Sequence, residues 1–124
     1  GKHSLPKIED VPELVMPKPA PVTASAEVLT RGERDYRRHC AYCHGDGMRT
    51  GGVVKDLRQS SPGIHALWQD IVRGGILKDM GMVSFKDYVT EDDAEAVRQY
   101  ALKLANKLYD ETQADQKVQK TKSE

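Results

Sequence analysis

Cys40-Ala41-Tyr42-Cys43-His44, written CAYCH, uses both cysteines of a 124-residue chain and sets a histidine directly behind the second. Three chemistries place two cysteines at this spacing. A redox dithiol of the thioredoxin type needs a βαβ context, and no run here alternates long enough to make a strand. A zinc site needs about four ligands, normally a second Cys or His pair, and His3, His39 and His65 make no such pair. The third chemistry is covalent attachment of a haem, whose signature is C-x-x-C-H. One helical turn lets both thiols reach the two vinyl groups on one side of a porphyrin, and the next residue turns its imidazole under the iron. Cys40 and Cys43 are therefore expected to hold one haem c through thioether bonds, with His44 as an iron ligand.

Around this pentapeptide the chain reads as helices joined by irregular segments. In SAEVLTRGERDYRRHC, Val28, Leu29, Gly32, Tyr36 and Cys40 recur at helical spacing. Ser25 is the expected N-cap and Glu27 suits the first turn. Gly32 costs a helix interior about 1 kcal/mol relative to Ala, so another helix is expected to approach too closely for a Cβ. Residues 45–63 hold five of the ten glycines and read as an irregular loop. Ile64, Leu67, Trp68, Ile71 and Val72 predict one face of a second helix, stopped at Gly74 or Gly75. Thr90 and Asp93 form a capping-box-like start to a helix with the stripe Ala94, Val97, Ala101, Leu104 and Leu108.

The two ends differ from the middle. Five of the six prolines lie in residues 1–23, which read as an extended linker or arm. The organisation expected is thus an arm over 1–24, a helical domain over 25–109 and a frayed polar tail over 110–124. Charge is balanced, with 19 basic and 19 acidic side chains, so the whole molecule makes no case for nucleic acid. No apolar run approaches the roughly 18 to 20 residues of a membrane span. The chain starts at GKHSLPKIED without a signal peptide, so a processed or excised form, with room for a lost export signal, is the expectation.

A second iron ligand is sought among four methionines. Electron-transfer haems of this type take a thioether sulfur opposite the histidine. Met16 lies in the proline arm, and Met48 follows His44 too closely to wrap to the opposite face. Met80 and Met82, in LKDMGMVSF, have enough chain between. Local sequence favours Met82, with Gly81 before it and Phe85 to anchor the loop, and leaves Met80 open. Both as packing residues, with an open iron that binds small ligands or reduces peroxide, is the competing reading.

The order of these pieces resembles the class I cytochromes c, an all-α fold of three to four main helices wrapped around one haem. CAYCHGDGMRTGGVVKDLRQS, followed by IVRGGILKDMGMVSF, is similar more closely to the C-terminal cytochrome c domain of the quinohaemoprotein alcohol dehydrogenases. The resemblance covers roughly residues 25–108. It implies electron transfer, a pyrroloquinoline-quinone (PQQ) dehydrogenase domain or partner as donor, a downstream respiratory acceptor, and a periplasmic or other extracytoplasmic location. It also implies Met82 as ligand, because the family ligand sits in a GM followed at three residues by an aromatic. Arg58, in DLR, becomes a candidate partner for a haem propionate, against a solvated loop arginine. Trp68 could donate its indole N–H to the same group, against simple core packing. One position departs: Lys55 stands where the family has a proline, which leaves open what holds the His44 Nδ1 proton, and Pro62 would replace it only in a rearranged loop. His3, His39 and His65 are expected at the surface. Residues 31–58 carry seven basic side chains against four acidic, and 87–115 carry eight acidic against three basic. That asymmetry suggests a dipole turning the haem edge toward an acidic partner, against ordinary helix-end charge.

Overall fold

The structure, a computed structural model, describes residues 16–49 and 56–122. Five α-helices carry it, and no strand occurs among the described residues: α1 Ala26–His39, α2 Ala41–His44, α3 Pro62–Ala66, α4 Trp68–Val72 and α5 Glu91–Lys122. Short 3-10 turns at Asp46–Met48, Leu57–Gln59 and Lys78–Met80 sit in the connections. No helix among the described residues is long and apolar enough to cross a membrane.

The crossing of α1 and α5 organises the fold. Ser25 caps α1 by accepting from the Val28 N–H at 3.3 Å. Thr90 and Asp93 cap α5 reciprocally, each side chain accepting from the other's backbone N–H at 3.1 Å. Where the helices cross, a Cβ on Gly32 would lie 2.1 Å from the Ala96 carbonyl oxygen and 3.2 Å from the Tyr100 Cβ. Only glycine allows that approach, and it sets Tyr36 and Tyr100 together with ring centroids 5.7 Å apart. Tyr36, Trp68, Val72, Val97 and Ala101 bury the centre of the core.

Three expectations about the elements are corrected. The helix expected over 64–72 is broken at Leu67, whose φ of −95° and ψ of 8° end α3 and begin α4. Leu67 is 45% exposed rather than on the buried face. The start of α3 falls inside the segment expected to be irregular, because Ser61 caps it and Pro62 occupies the first turn. Finally, α5 does not fray after Asp110 but runs to Lys122. Residues 110–122 lack a strong apolar stripe, yet they hold no Gly or Pro and consist mostly of residues with fair to good helix propensity.

Residues 16–24 lie along α5. The Thr23 N–H donates to Gln99 Oε1 at 3.0 Å, Gln99 Nε2 donates back to Thr23 Oγ1 at 3.1 Å, and Asn106 Nδ2 donates to the Ala20 carbonyl at 2.9 Å. Gln99 is buried under this segment. A cavity of about 220 Å³ remains between the segment, Arg58, His65 and the Arg98–Leu102 side of α5.

Candidate haem site

The pentapeptide folds as one tight turn. Cys40 closes α1, its N–H donating to the Tyr36 carbonyl at 2.8 Å, and its own carbonyl accepts from Cys43 N at 3.2 Å and His44 N at 3.0 Å. Both cysteines therefore leave a single helical turn, with His44 at its end, as the spacing predicts. Gly45 then turns the chain at φ 84°, where a Cβ would lie 2.1 Å from the Arg49 carbonyl oxygen. The buried Tyr36 hydroxyl donates to the Gly45 carbonyl, which fixes the exit of this turn to α1. Met48 follows, fully buried and at φ 63°, a conformation that a non-glycine side chain adopts at some cost.

Both thiols are free, Cys40 half-buried and Cys43 exposed. Burial first, then the neighbouring Asp35 and Cys43, pushes the Cys40 thiol up to about 12.

The methionines separate cleanly. Gly81 sits at φ 100° with open space around its missing side chain, so it is required for the backbone turn itself and not for close packing. On either side of that turn, Met80 is 83% exposed while Met82 packs against the core. Met48 is a core residue and Met16 belongs to the segment lying on α5. The Met82 loop is pinned to α4 by the Phe85 N–H donating to the Val72 carbonyl at 2.8 Å and by Ser84 Oγ donating to the Arg73 carbonyl.

Arg58 and Trp68 fare differently. Arg58 forks onto Asp56, with Nε to Oδ1 at 3.0 Å and Nη2 to Oδ2 at 2.7 Å. Asp56 also caps the turn Leu57–Gln59 by accepting from the Arg58 N–H at 2.9 Å, so DLR is a closed local unit. Trp68 is 5% exposed, and its Nε1 is buried with no hydrogen-bond partner among the described residues. An indole donor stranded in a core costs free energy, and a carboxylate such as a haem propionate is the acceptor it fits. The residues present thus suit a haem.

Other site expectations are changed by the structure. His65 is not a surface residue: it is half-buried and stacks on Trp68, with centroids 5.3 Å apart at 8°. Burial, followed by the Arg98 charge, pushes its pKa down. His39 is likewise half-buried, against Phe85 and Tyr88. Pro62 is committed to the first turn of α3. Lys55 and His3 lie outside the described residues. The basic surplus of 31–58 is partly consumed locally, since Arg31 pairs with Asp93 at 2.6 Å, Arg37 with Glu33 at 2.7 Å and Arg58 with Asp56. The Gln99 clamp had no signal in the sequence, because its burial comes from a segment far away in the chain.

Comparison with known proteins gives four concordant matches. The family model described as cytochrome c oxidase, cbb3-type, subunit III matches residues 27–100. The quinohemoprotein alcohol dehydrogenase ADH IIB of Pseudomonas putida is 39% identical over 102 residues, covering 82% of this chain and 15% of that protein. The dehydrogenase subunit of the quinone alcohol dehydrogenase of Acetobacter aceti is 33% identical over 110 residues, covering 88% of this chain and 15% of that one. Among solved structures, the quinohemoprotein alcohol dehydrogenase ADHIIG of Pseudomonas putida HK5 superposes with a TM-score of 0.71 at 31% identity, over 89% of this chain. The chain thus spans about 15% of the length of the relatives it matches.

Proposed function

This chain belongs to the cytochrome c family matched by the cbb3-type subunit III model and is an electron-transfer module of the kind found in quinohaemoprotein alcohol dehydrogenases, and from that premise we propose how its residues do the work. Cys40 and Cys43 hold one haem c covalently, and His44 and Met82 ligate its iron. When bound, that group supplies one-electron chemistry between ferric and ferrous iron. The chain's own part is to fix the ligands, exclude water and tune the potential.

The observation that carries this reading is the division at Gly81, which turns Met82 into the core and Met80 out to solvent. Held by both His44 and Met82, a bound haem would have the raised potential of His/Met ligation, which would suit it to passing electrons rather than to binding a substrate. Trp68 Nε1 gives a propionate a buried donor, which lowers the cost of holding a carboxylate near the core. Arg58 is already paired with Asp56 and adds no free charge to that site.

The donor proposed is a PQQ-dependent dehydrogenase, fused ahead of the proline-rich arm or acting as a partner, because the relatives are named as quinohaemoprotein or quinone alcohol dehydrogenases. A downstream respiratory acceptor takes the electron on. The exposed apolar side chains Ile76, Met80 and Val83 of the Met82 loop, and the fully exposed Tyr42 beside the cysteines, are the groups proposed for partner contact. Thioether attachment of haem is extracytoplasmic chemistry, so the location proposed is the periplasm or an equivalent space.

The attachment is tested by expressing the chain with a c-type maturation system and denaturing it in acid acetone. Haem should stay with the wild-type polypeptide and be extracted from the Cys40→Ser, Cys43→Ser double variant. Extraction from the wild type would overturn covalent attachment.

A further inference from the structure

The loop carrying Met82 is tied on one side by backbone. Phe85 N–H donates to the Val72 carbonyl at 2.8 Å, and the Tyr88 and Val89 N–H groups donate to the Phe85 carbonyl at 2.9 and 2.8 Å. Arg73 Nε donates to the Val89 carbonyl at 3.0 Å. These ties run to α4 or stay within the loop.

The tie to α1 is of another kind. His39 ends α1, directly before Cys40. Its ring centroid is 6.3 Å from Phe85 at an interplanar angle of 54°, and 6.3 Å from Tyr88 at 28°. Both fall in the range where ring pairs attract beyond their buried area. Phe85 is half-buried against the core while Tyr88 is 73% exposed, so the imidazole meets one inner and one outer ring. The residue before the cysteines thereby touches the segment three to six positions beyond Met82.

We propose that His39 is a positioning residue which holds the Met82 loop closed against α1 and so slows the departure of Met82 from the iron. The inference rests on the His44/Met82 ligation proposed above. An external ligand enters a six-coordinate iron only when the sulfur leaves, and local opening of a loop is governed by the few contacts that pin it. Losing both ring contacts should raise the open fraction about tenfold. The effect belongs to the ring faces and not to the imidazole nitrogens, so a phenyl ring should replace it.

The test is cyanide binding to the ferric holoprotein by stopped flow, in wild type, His39→Ala, His39→Phe and Tyr88→Ala. The rate at saturating cyanide should rise about tenfold in His39→Ala, stay within about twofold of wild type in His39→Phe, and rise about threefold in Tyr88→Ala, which removes one exposed ring. Tyr88→Ala keeps the test decisive if His39→Ala does not fold. Unchanged rates in the alanine variants, or a His39→Phe rate as high as that of His39→Ala, would overturn the proposal. The wild-type far-red absorption band of a sulfur–iron bond separates the two levels. If it is absent, the ligation and the proposal fail together; if it is present and the rates do not move, the proposal alone fails.

Discussion

Gly32 on α1 meets the Ala96 carbonyl of α5 so closely that a Cβ would lie 2.1 Å from the oxygen. Gly32→Ala therefore forces the two longest helices apart, and with them Tyr36, whose hydroxyl holds the Gly45 exit of the cysteine turn. Overpacking costs about 1–3 kcal/mol or more, against about 1 kcal/mol gained in helix propensity. Because the clash is with backbone, which cannot swing aside, the upper end applies and the expected net loss is about 2 kcal/mol, or roughly 10 °C in thermal midpoint. Calorimetry of the holoprotein checks it, and an unchanged midpoint would contradict a crossing this close.

The capping box of α5 carries a pH dependence. Burial alone would raise the Asp93 carboxyl, but hydrogen bonds from the Thr90 backbone and from Arg31 outweigh it and hold its pKa at about 2. An unfolded aspartate titrates near 3.9, so the stabilisation is fully present above about pH 4 and is lost as pH falls through about 2. Arg31 is more than a third exposed, which cuts the gain to about 1 kcal/mol. Asp93→Asn should be less stable than wild type at pH 6, and the gap should shrink steadily as pH falls from about 4 toward 2 in urea titrations. A gap independent of pH would place the effect in capping geometry alone.

Trp68 offers a buried indole N–H with no partner among the described residues. Trp68→Phe should keep the fold, because a ring still packs against Tyr36 and Val72. A propionate deprived of its donor is less well compensated and favours the ferric state. The midpoint potential should fall on the order of 30 mV, the equivalent of about 0.7 kcal/mol for one electron. Its dependence on pH should steepen near neutrality as the propionate pKa rises. Spectroelectrochemistry at several pH values checks both, and an unmoved potential would leave Trp68 as a packing residue.

Much of this was legible in the sequence because it depends on spacing within one helix. CAYCH specifies a turn, Gly32 and Tyr36 lie on one helix face, and Thr90 with Asp93 is a local pair. What was missed depends on a local break at Leu67 and on partners distant in sequence. The Ile64–Val72 spacing fits one helix, but the chain bends at Leu67, whose N–H is shared between the Gly63 and Ile64 carbonyls. Gln99 reads as a surface residue until Thr23 is laid on it. His39 and His65 owe their burial to rings at Phe85, Tyr88 and Trp68 that no local pattern announces. In the tail the reverse held: the missing apolar face suggested fraying, while intrinsic propensity carries α5 on to Lys122.

Ligation of the iron by Met82 is tested most directly by the far-red absorption of the ferric holoprotein, where a sulfur–iron bond gives a weak band. The band is expected in wild type and in Met80→Ala, whose side chain is 83% exposed, and is expected to vanish in Met82→Ala. A band that survives in Met82→Ala, or a wild-type spectrum that is high-spin and lacks it, would contradict His/Met ligation and point instead to an iron open to external ligands.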